Sequence, residues 1–319
     1  MSSPTLAVED LTVYYYTLKG VVRAVEDVSL RAYRGDLVAL VGESGCGKTT
    51  LSYALLNLVP PPGRIVKGRV VIGGVDILSL RGDELRKARG SLVSMVFQDP
   101  FTTLDPVRRV GDQILEVLLE HDVPIEEARK RVAEVIESVG LSERIANAYP
   151  HQLSGGQRQR ISIAAAIALN PRVLVADEPT TALDVVVQKQ IMDLLDEIRK
   201  NTGMTVVLIT HDIALAAERA TRVAVMYAGK MVEYGPKDKV IENPLHPYTN
   251  ALLKSVPDIE SEEWPKPIQG TPPDLRNPPS GCRFHPRCPL AKDVCRRGAP
   301  DVVEVEPGHY TSCWLYAKR

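Results

Sequence analysis

The residues that most constrain the fold are Gly42-Glu-Ser-Gly-Cys-Gly47-Lys48-Thr49, a match to G-x-x-x-x-G-K-[ST]. Their flanks fit the pattern. Asp36-Leu-Val-Ala-Leu-Val41 is a continuous apolar run ending at a glycine, and a helical run from Thr50 to Val59 follows. Such a loop hands a buried strand over to a helix. Its glycines let backbone N–H groups wrap a phosphate, and the helix turns its positive end toward the same anion. In that arrangement Lys48 reaches the β- and γ-phosphates and Thr49 ligates Mg²⁺. Cys46 falls at a variable position of the loop and is expected to be a small filler rather than a redox switch.

From Leu6 to about Tyr234, β-rich runs alternate with helical stretches. Gly68–Ile72, Leu92–Phe97, Arg172–Ala176 and Thr205–Thr210 are predicted strands; the last two are apolar enough for parallel strands buried on both faces. Val223–Tyr227 and Gly229–Tyr234 read as a hairpin. Between residues 107 and 169 the texture turns helical. Ile125, Ala128, Val132, Val135, Ile136 and Val139 form one amphipathic face, with Pro124 near its start and Gly140 past its end. Pro257, Pro265, Pro267, Pro272, Pro273, Pro278 and Pro279 rule out regular structure across 257–281, which reads as an extended linker. No apolar run approaches the roughly 20 residues of a membrane span, and Met1–Leu6 shows no secretory signal. With 39 Lys+Arg against 40 Asp+Glu, nothing suggests a general nucleic-acid-binding surface. The chain is expected to be cytosolic.

Val173-Leu-Val-Ala-Asp177-Glu178 runs an apolar strand into two carboxylates. At the C-terminal edge of a parallel sheet, Asp177 can join a Mg²⁺ shell while Glu178 polarises an attacking water. Leu153-Ser-Gly-Gly-Gln157 adds a second anion cradle, with Ser154 as N-cap and Gly155 and Gly156 exposing N–H groups at a helix head.

In this order, the three motifs make the chain resemble an ABC-type ATPase subunit. The resemblance implies an α/β P-loop NTPase fold with an ABC-type antiparallel β subdomain and a helical subdomain at about 98–165. It implies a nucleotide domain over 1–240, an extension over 241–281 and a Cys-rich tail over 282–319. It also assigns roles. Gly42, Ser44, Gly45, Cys46, Gly47, Lys48, Thr49 and Thr50 cradle ATP. Ser154, Gly155, Gly156 and Gln157 contact the γ-phosphate of ATP held by the other subunit. Gln98 matches the glutamine loop that touches Mg²⁺ or water, Asp184 lies in the loop crossing the dimer interface, and His211 senses the γ-phosphate. Tyr15, within Tyr14-Tyr-Tyr16, best matches the adenine-stacking aromatic, with either neighbour as the alternative. His121, His151 and His246 are expected at the surface. One copy of each motif means the chain works as half of a pair, with itself or a homologous second subunit.

The tail carries Cys282, Cys288, Cys295 and Cys313. Four cysteines crowded into a small cytosolic segment point to metal rather than disulfides. The absence of C-x2-C pairs tilts the choice toward an Fe–S cluster over structural zinc. His285 and His309 are spare ligands, expected to be structural. Further segments are similar to the oligopeptide/dipeptide importer ATPases, nearer the D-type subunit. These are His246-Pro-Tyr-Thr249, Gly270-Thr-Pro-Pro273, Gly281-Cys-x-Phe-His-Pro-Arg-Cys288 and Gln98–Pro106. Cys-Arg-Phe-His stands where Cys-Pro-Phe-His is commoner. That resemblance implies a [4Fe–4S] cluster in the tail, two membrane permease subunits, an extracellular or periplasmic solute-binding protein, and a place on the cytoplasmic face of the membrane.

Overall fold

The computed structural model describes residues 3–256 and 265–317. Residues 257–264 of the proline-rich stretch lie outside it, as do Met1 and Ser2 of the amino-terminal reading and the last two residues of the tail. In chain order the strands are β1 (Leu6–Thr17), β2 (Gly20–Ala32), β3 (Leu37–Val41), β4 (Gly63–Ile72), β5 (Val75–Asp76), β6 (Val93–Val96), β7 (Val173–Asp177), β8 (Thr205–Ile209), β9 (Arg222–Tyr227), β10 (Lys230–Pro236), β11 (Val303–Glu306) and β12 (His309–Thr311). The chain divides into two compact units, and it passes from one to the other within β8.

The first unit runs from Val71 to Val207, with the segment before Ala7 and Tyr33–Gly35. Its strands follow the order β6-β7-β8. β6 and β7 pair parallel from Val93↔Val173 to Val96↔Ala176, and every residue of β7 is buried, as its unbroken apolar run requires. Helices Val110–Leu119, Ile125–Ser138 and Gly155–Ile167 pack on one another. Ile125–Ser138 buries Ala128, Val132, Val135 and Ile136. Ile125 is 42% exposed, so the apolar face begins one turn later than its spacing predicts. Arginines tie the helix ends: Arg131 Nε donates to Ala168 O at 2.9 Å and Arg160 Nη1 to Val139 O at 2.6 Å.

The second unit holds Ala7–Ala32, Asp36–Val70 and the chain from Leu208 onward. β3 and β9 pair parallel, from Val38↔Arg222 to Val41↔Val225. β9 and β10 form the expected antiparallel hairpin, turning through Ala228 and Gly229, both at positive φ. The strand order in this unit is β3-β9-β10-β12-β11. β12 pairs with β10 at Glu233↔Thr311 and Tyr234↔Tyr310, and β11 pairs with β12. The tail is thus built onto this sheet. A second sheet has the order β2-β1-β4. The helix after β3 spans Lys48–Leu55, shorter than predicted, because Asn57 turns to φ 53° ahead of the Pro60-Pro-Pro run. Among the described residues, no helix is long and apolar enough to cross a membrane.

Candidate functional site

The loop after β3 has the shape its glycines allow. Gly42 and Gly47 take φ of 151° and 105°, and a Cβ at either would run into backbone, Met226 O and Ala24 O respectively. The loop is therefore a cradle that only glycine can line at these two points. Lys48 is buried, its Nζ donating to Gly42 O at 2.7 Å and Glu43 O at 3.1 Å. The ammonium folds against the loop's own carbonyls, within reach of whatever the loop encloses. Ser44, Gly45 and Thr49 are exposed and Thr50 is half-buried. Cys46 is buried, and burial pushes its thiol up, against the pull of nearby Lys48, which fits an inert filler.

Of the three tyrosines on β1, Tyr15 lies alongside the loop's helix, its Oη 3.5 Å from Thr50 Oγ1. Tyr14 donates to Glu26 Oε2 at 2.9 Å, and Tyr16 is exposed beneath Arg64. His211 follows β8 and is exposed. Asp212 beside it caps the helix Ile213–Arg219, accepting from Ala214 N and Leu215 N.

In the first unit, Asp177 ends β7 and is buried. Glu178 follows at φ 44°, a left-handed conformation that costs a non-glycine residue about 1–3 kcal/mol. Its Oε2 accepts from Gln98 Nε2 and Thr181 Oγ1, each at 3.1 Å. The structure therefore brings Gln98, Glu178 and Thr181 together, as a carboxylate aimed by two donors.

Ser154 caps the helix Gly155–Ile167. Its Oγ accepts from Gln157 N at 3.3 Å while Gln157 Oε1 accepts from Ser154 N at 3.0 Å. The two glycines also have a packing reason that sequence reasoning missed. A Cβ at Gly155 would lie 3.2 Å from Leu183 Cδ2, and one at Gly156 only 2.7 Å from Val187 Cγ1. Asp184 caps the helix Val185–Thr202, accepting from Val187 N at 3.0 Å.

The four tail cysteines are free thiols. Cys282, Cys288, Cys295 and Cys313 line one recess, with His246 and Phe284 in its wall. Burial pushes Cys282 up to about 11, and the neighbouring Cys313, Cys295 and Cys288 push the same way. Cys288 and Cys313 are raised too, chiefly by burial. All four are soft sulfur donors. Among the described residues, no group of three or more His, Cys, Asp or Glu is disposed to hold a metal ion.

Two histidines differ from the expectation of a surface position, His246 fully and His121 in part. His246 is buried, not at the surface. Its Nδ1 accepts from Tyr248 N at 3.0 Å, its backbone N–H donates to Glu233 Oε2 at 2.8 Å, and burial depresses it to about 3. Its signal was local: His-Pro at a helix start, an N-cap followed by proline. His309 pairs with buried Glu233 at 2.8 Å, and His285 Nδ1 lies 3.0 Å from Cys282 O, so both are engaged structurally. His121 lodges its ring against Val117 O and Arg86 O, and His151 is exposed.

Residues 25–181 match the sequence model of the ABC transporter family, and residues 232–295 match the oligopeptide/dipeptide transporter C-terminal region. The dipeptide transport ATP-binding protein DppD of Bacillus subtilis (strain 168) is 46% identical over 321 residues, covering 98% of this chain and 95% of DppD. The oligopeptide transport ATP-binding protein OppD of the same organism is 44% identical over 316 residues, 97% of this chain and 88% of OppD. Among solved structures, a dimeric ATP-binding cassette in a post-hydrolysis state bound to ADP and Pi is 33% identical. It superposes with a TM-score of 0.63 over 73% of this chain and 98% of the cassette. The chain belongs to the ATP-binding subunits of the oligopeptide/dipeptide ABC transporter family.

Proposed function

We propose that this chain is the ATP-hydrolysing subunit of an ABC importer for dipeptides, oligopeptides or similar oligomeric solutes. It would work on the cytoplasmic face of the membrane, paired with a homologous ATPase subunit or a copy of itself. Two membrane permease subunits and an external solute-binding protein complete the assembly. The observation that carries the reading is the joint presence, in family order, of a glycine-only phosphate cradle and an oriented strand-end carboxylate, followed by the peptide-transporter C-terminal region.

In this reading Gly42, Ser44, Gly45, Cys46, Gly47, Thr49 and Thr50 of the loop, with the Lys48 ammonium, take the phosphates, and Tyr15 stacks on adenine. By the family resemblance, Thr49, Gln98 and Asp177 would hold Mg²⁺, which would neutralise phosphate charge. Glu178, aimed by Gln98 and Thr181, accepts the proton of the attacking water. His211 touches the γ-phosphate. Ser154, Gly155, Gly156 and Gln157 meet the γ-phosphate on the partner subunit, and Asp184 lies at that interface. Binding closes the pair, and hydrolysis reopens it.

Cys282, Cys288, Cys295 and Cys313 would hold a [4Fe–4S] cluster that stabilises the tail and takes no part in hydrolysis. The shared recess and the soft donor set support this reading. An anaerobic visible spectrum with iron, sulfide and zinc analysis tests it: about four irons per chain are expected, and zinc alone would refute it. The ATPase assignment is tested by Glu178→Gln in the assembled transporter. Nucleotide binding should persist while turnover falls about 100-fold or more, and near-normal turnover would refute the role.

A further inference from the structure

The segment Cys282-Arg283-Phe284-His285-Pro286-Arg287-Cys288 carries two arginines that the ATPase reading does not use. Arg283 is buried and Arg287 half-buried, against the phosphate loop and its support. Arg287 grips Glu43, the second residue of the loop, in a two-pronged ion pair: Nη1 to Oε2 at 2.6 Å and Nη2 to Oε1 at 3.0 Å. Its side chain is only 5% exposed. The rest of the guanidinium is also engaged, with Nε donating to Gln269 O at 2.8 Å and Nη1 to Tyr227 Oη at 3.3 Å. A planar fork so fully satisfied has one orientation, and it fixes its carboxylate partner with it.

Glu43 is held from its backbone as well. Its N–H donates to Tyr248 Oη at 2.9 Å, and Tyr248 is itself locked against Tyr227 and Phe284. The carbonyl of the same residue accepts from Lys48 Nζ. One residue thus links the tail arginine to the phosphate-binding ammonium.

The second arginine braces the loop from the other side. Arg283 pairs with Glu26 at 3.0 Å and donates to Ala228 O. The next residue, Gly229, donates its N–H to Cys46 O in the loop at 2.8 Å and accepts from Glu26 N at 2.8 Å.

We propose that Arg287, with Arg283 beside it, is a positioning residue for nucleotide binding. Arg287 neutralises and fixes the Glu43 carboxylate, which would otherwise repel the incoming polyphosphate and loosen the carbonyl that orients Lys48. The cysteine-flanked segment is therefore part of the support of the phosphate loop, whatever its thiols bind. The inference rests on the loop's being a nucleotide cradle.

The test is the dissociation constant for MgATP, measured on the full chain by equilibrium binding. Arg287→Gln should weaken binding about tenfold, within the range of ordinary site-to-site coupling. Glu43→Gln should bind at least as well as the unmodified chain. The double variant Glu43→Gln/Arg287→Gln should recover most of the loss, because the unpaired carboxylate is its cause. A merely structural arginine would leave the double variant as weak as Arg287→Gln, and that result overturns the proposal, as does unchanged affinity in Arg287→Gln. Should Arg287→Gln not fold, Arg287→Lys carries the test. It keeps the charge but loses the fork. It should weaken binding more when Glu43 is present than when it is combined with Glu43→Gln; equal effects overturn the proposal. Lys48→Ala separates the two readings. ATP binding that survives it counts against the cradle, whereas binding lost with Lys48→Ala yet indifferent to Arg287→Gln counts against the brace alone.

Discussion

Replacing Gly156 with alanine sets two effects of opposite sign against each other. Gly156 lies in the first turn of the helix Gly155–Ile167, where alanine gains up to about 1 kcal/mol in helix propensity. An ideal Cβ there lies 2.7 Å from Val187 Cγ1, about 0.8 Å short of the roughly 3.5 Å of good carbon–carbon contact. Val187 cannot turn aside cheaply. It belongs to the helix Val185–Thr202, where a β-branched side chain is confined largely to one χ1 rotamer. Overpacking of this kind costs about 1–3 kcal/mol. The net effect of Gly156→Ala is a loss of about 1 kcal/mol. With Val187→Ala the obstructing methyl is gone, and the same substitution should stabilise by about 0.5–1 kcal/mol. The pair is therefore coupled by about 2 kcal/mol. Urea unfolding followed by far-UV circular dichroism on the four proteins of the cycle measures this. Stabilisation by Gly156→Ala alone, or the same effect in both backgrounds, would refute the packing argument.

Lys48→Ala removes charge-assisted hydrogen bonds worth about 1.5–3 kcal/mol, so nucleotide affinity should fall roughly 10- to 100-fold; an unchanged dissociation constant would count against the loop's role. Glu26 should contribute an acid-dependent share of stability. Burial raises its carboxyl, but Arg283, Lys230 and the Tyr14 hydroxyl outweigh it and leave it below its ordinary value. That contribution is present above the unfolded value near 4.5 and is lost as pH falls through the lower folded value. Glu26→Gln should therefore be less stable than the unmodified chain at about pH 7, and the gap in urea midpoint should narrow below about pH 4.5. A gap that stays constant down to about pH 3 would refute the ion-pair account.

The parallel strands were legible because burial on both faces leaves nothing but apolar residues, as in Val173–Ala176 and Leu37–Val41. The phosphate loop, the N-cap at Ser154 and the hairpin at Gly229 were legible because each is a local rule about backbone and spacing. What could not be read depends on partners far apart in the chain. Arg287 and Glu43 stand 244 residues apart, and Arg283 and Ala228 stand 55 apart. Nothing near Gly156 announces that Val187 occupies the space its side chain would need. His246 is buried by its hold on Glu233 of β10, which its local His-Pro N-cap signal does not announce. Arg283 in the cysteine segment has its partner, Glu26, equally remote in sequence.

The pairing of the tail onto β10 also bears on solubility. β10 carries Met231, Val232 and Tyr234, all buried, and its outer side is hydrogen-bonded to β12. Beyond β12 the sheet ends at β11, a strand of four residues with Glu304 and Glu306 exposed and Pro307 just after it. Short, charged edges ended by proline resist pairing with other chains. A chain cut before Val303 would instead present the open flank of an apolar strand, a template for intermolecular β-pairing. Val303–Thr311 therefore covers the flank of β10, and its removal is expected to favour aggregation.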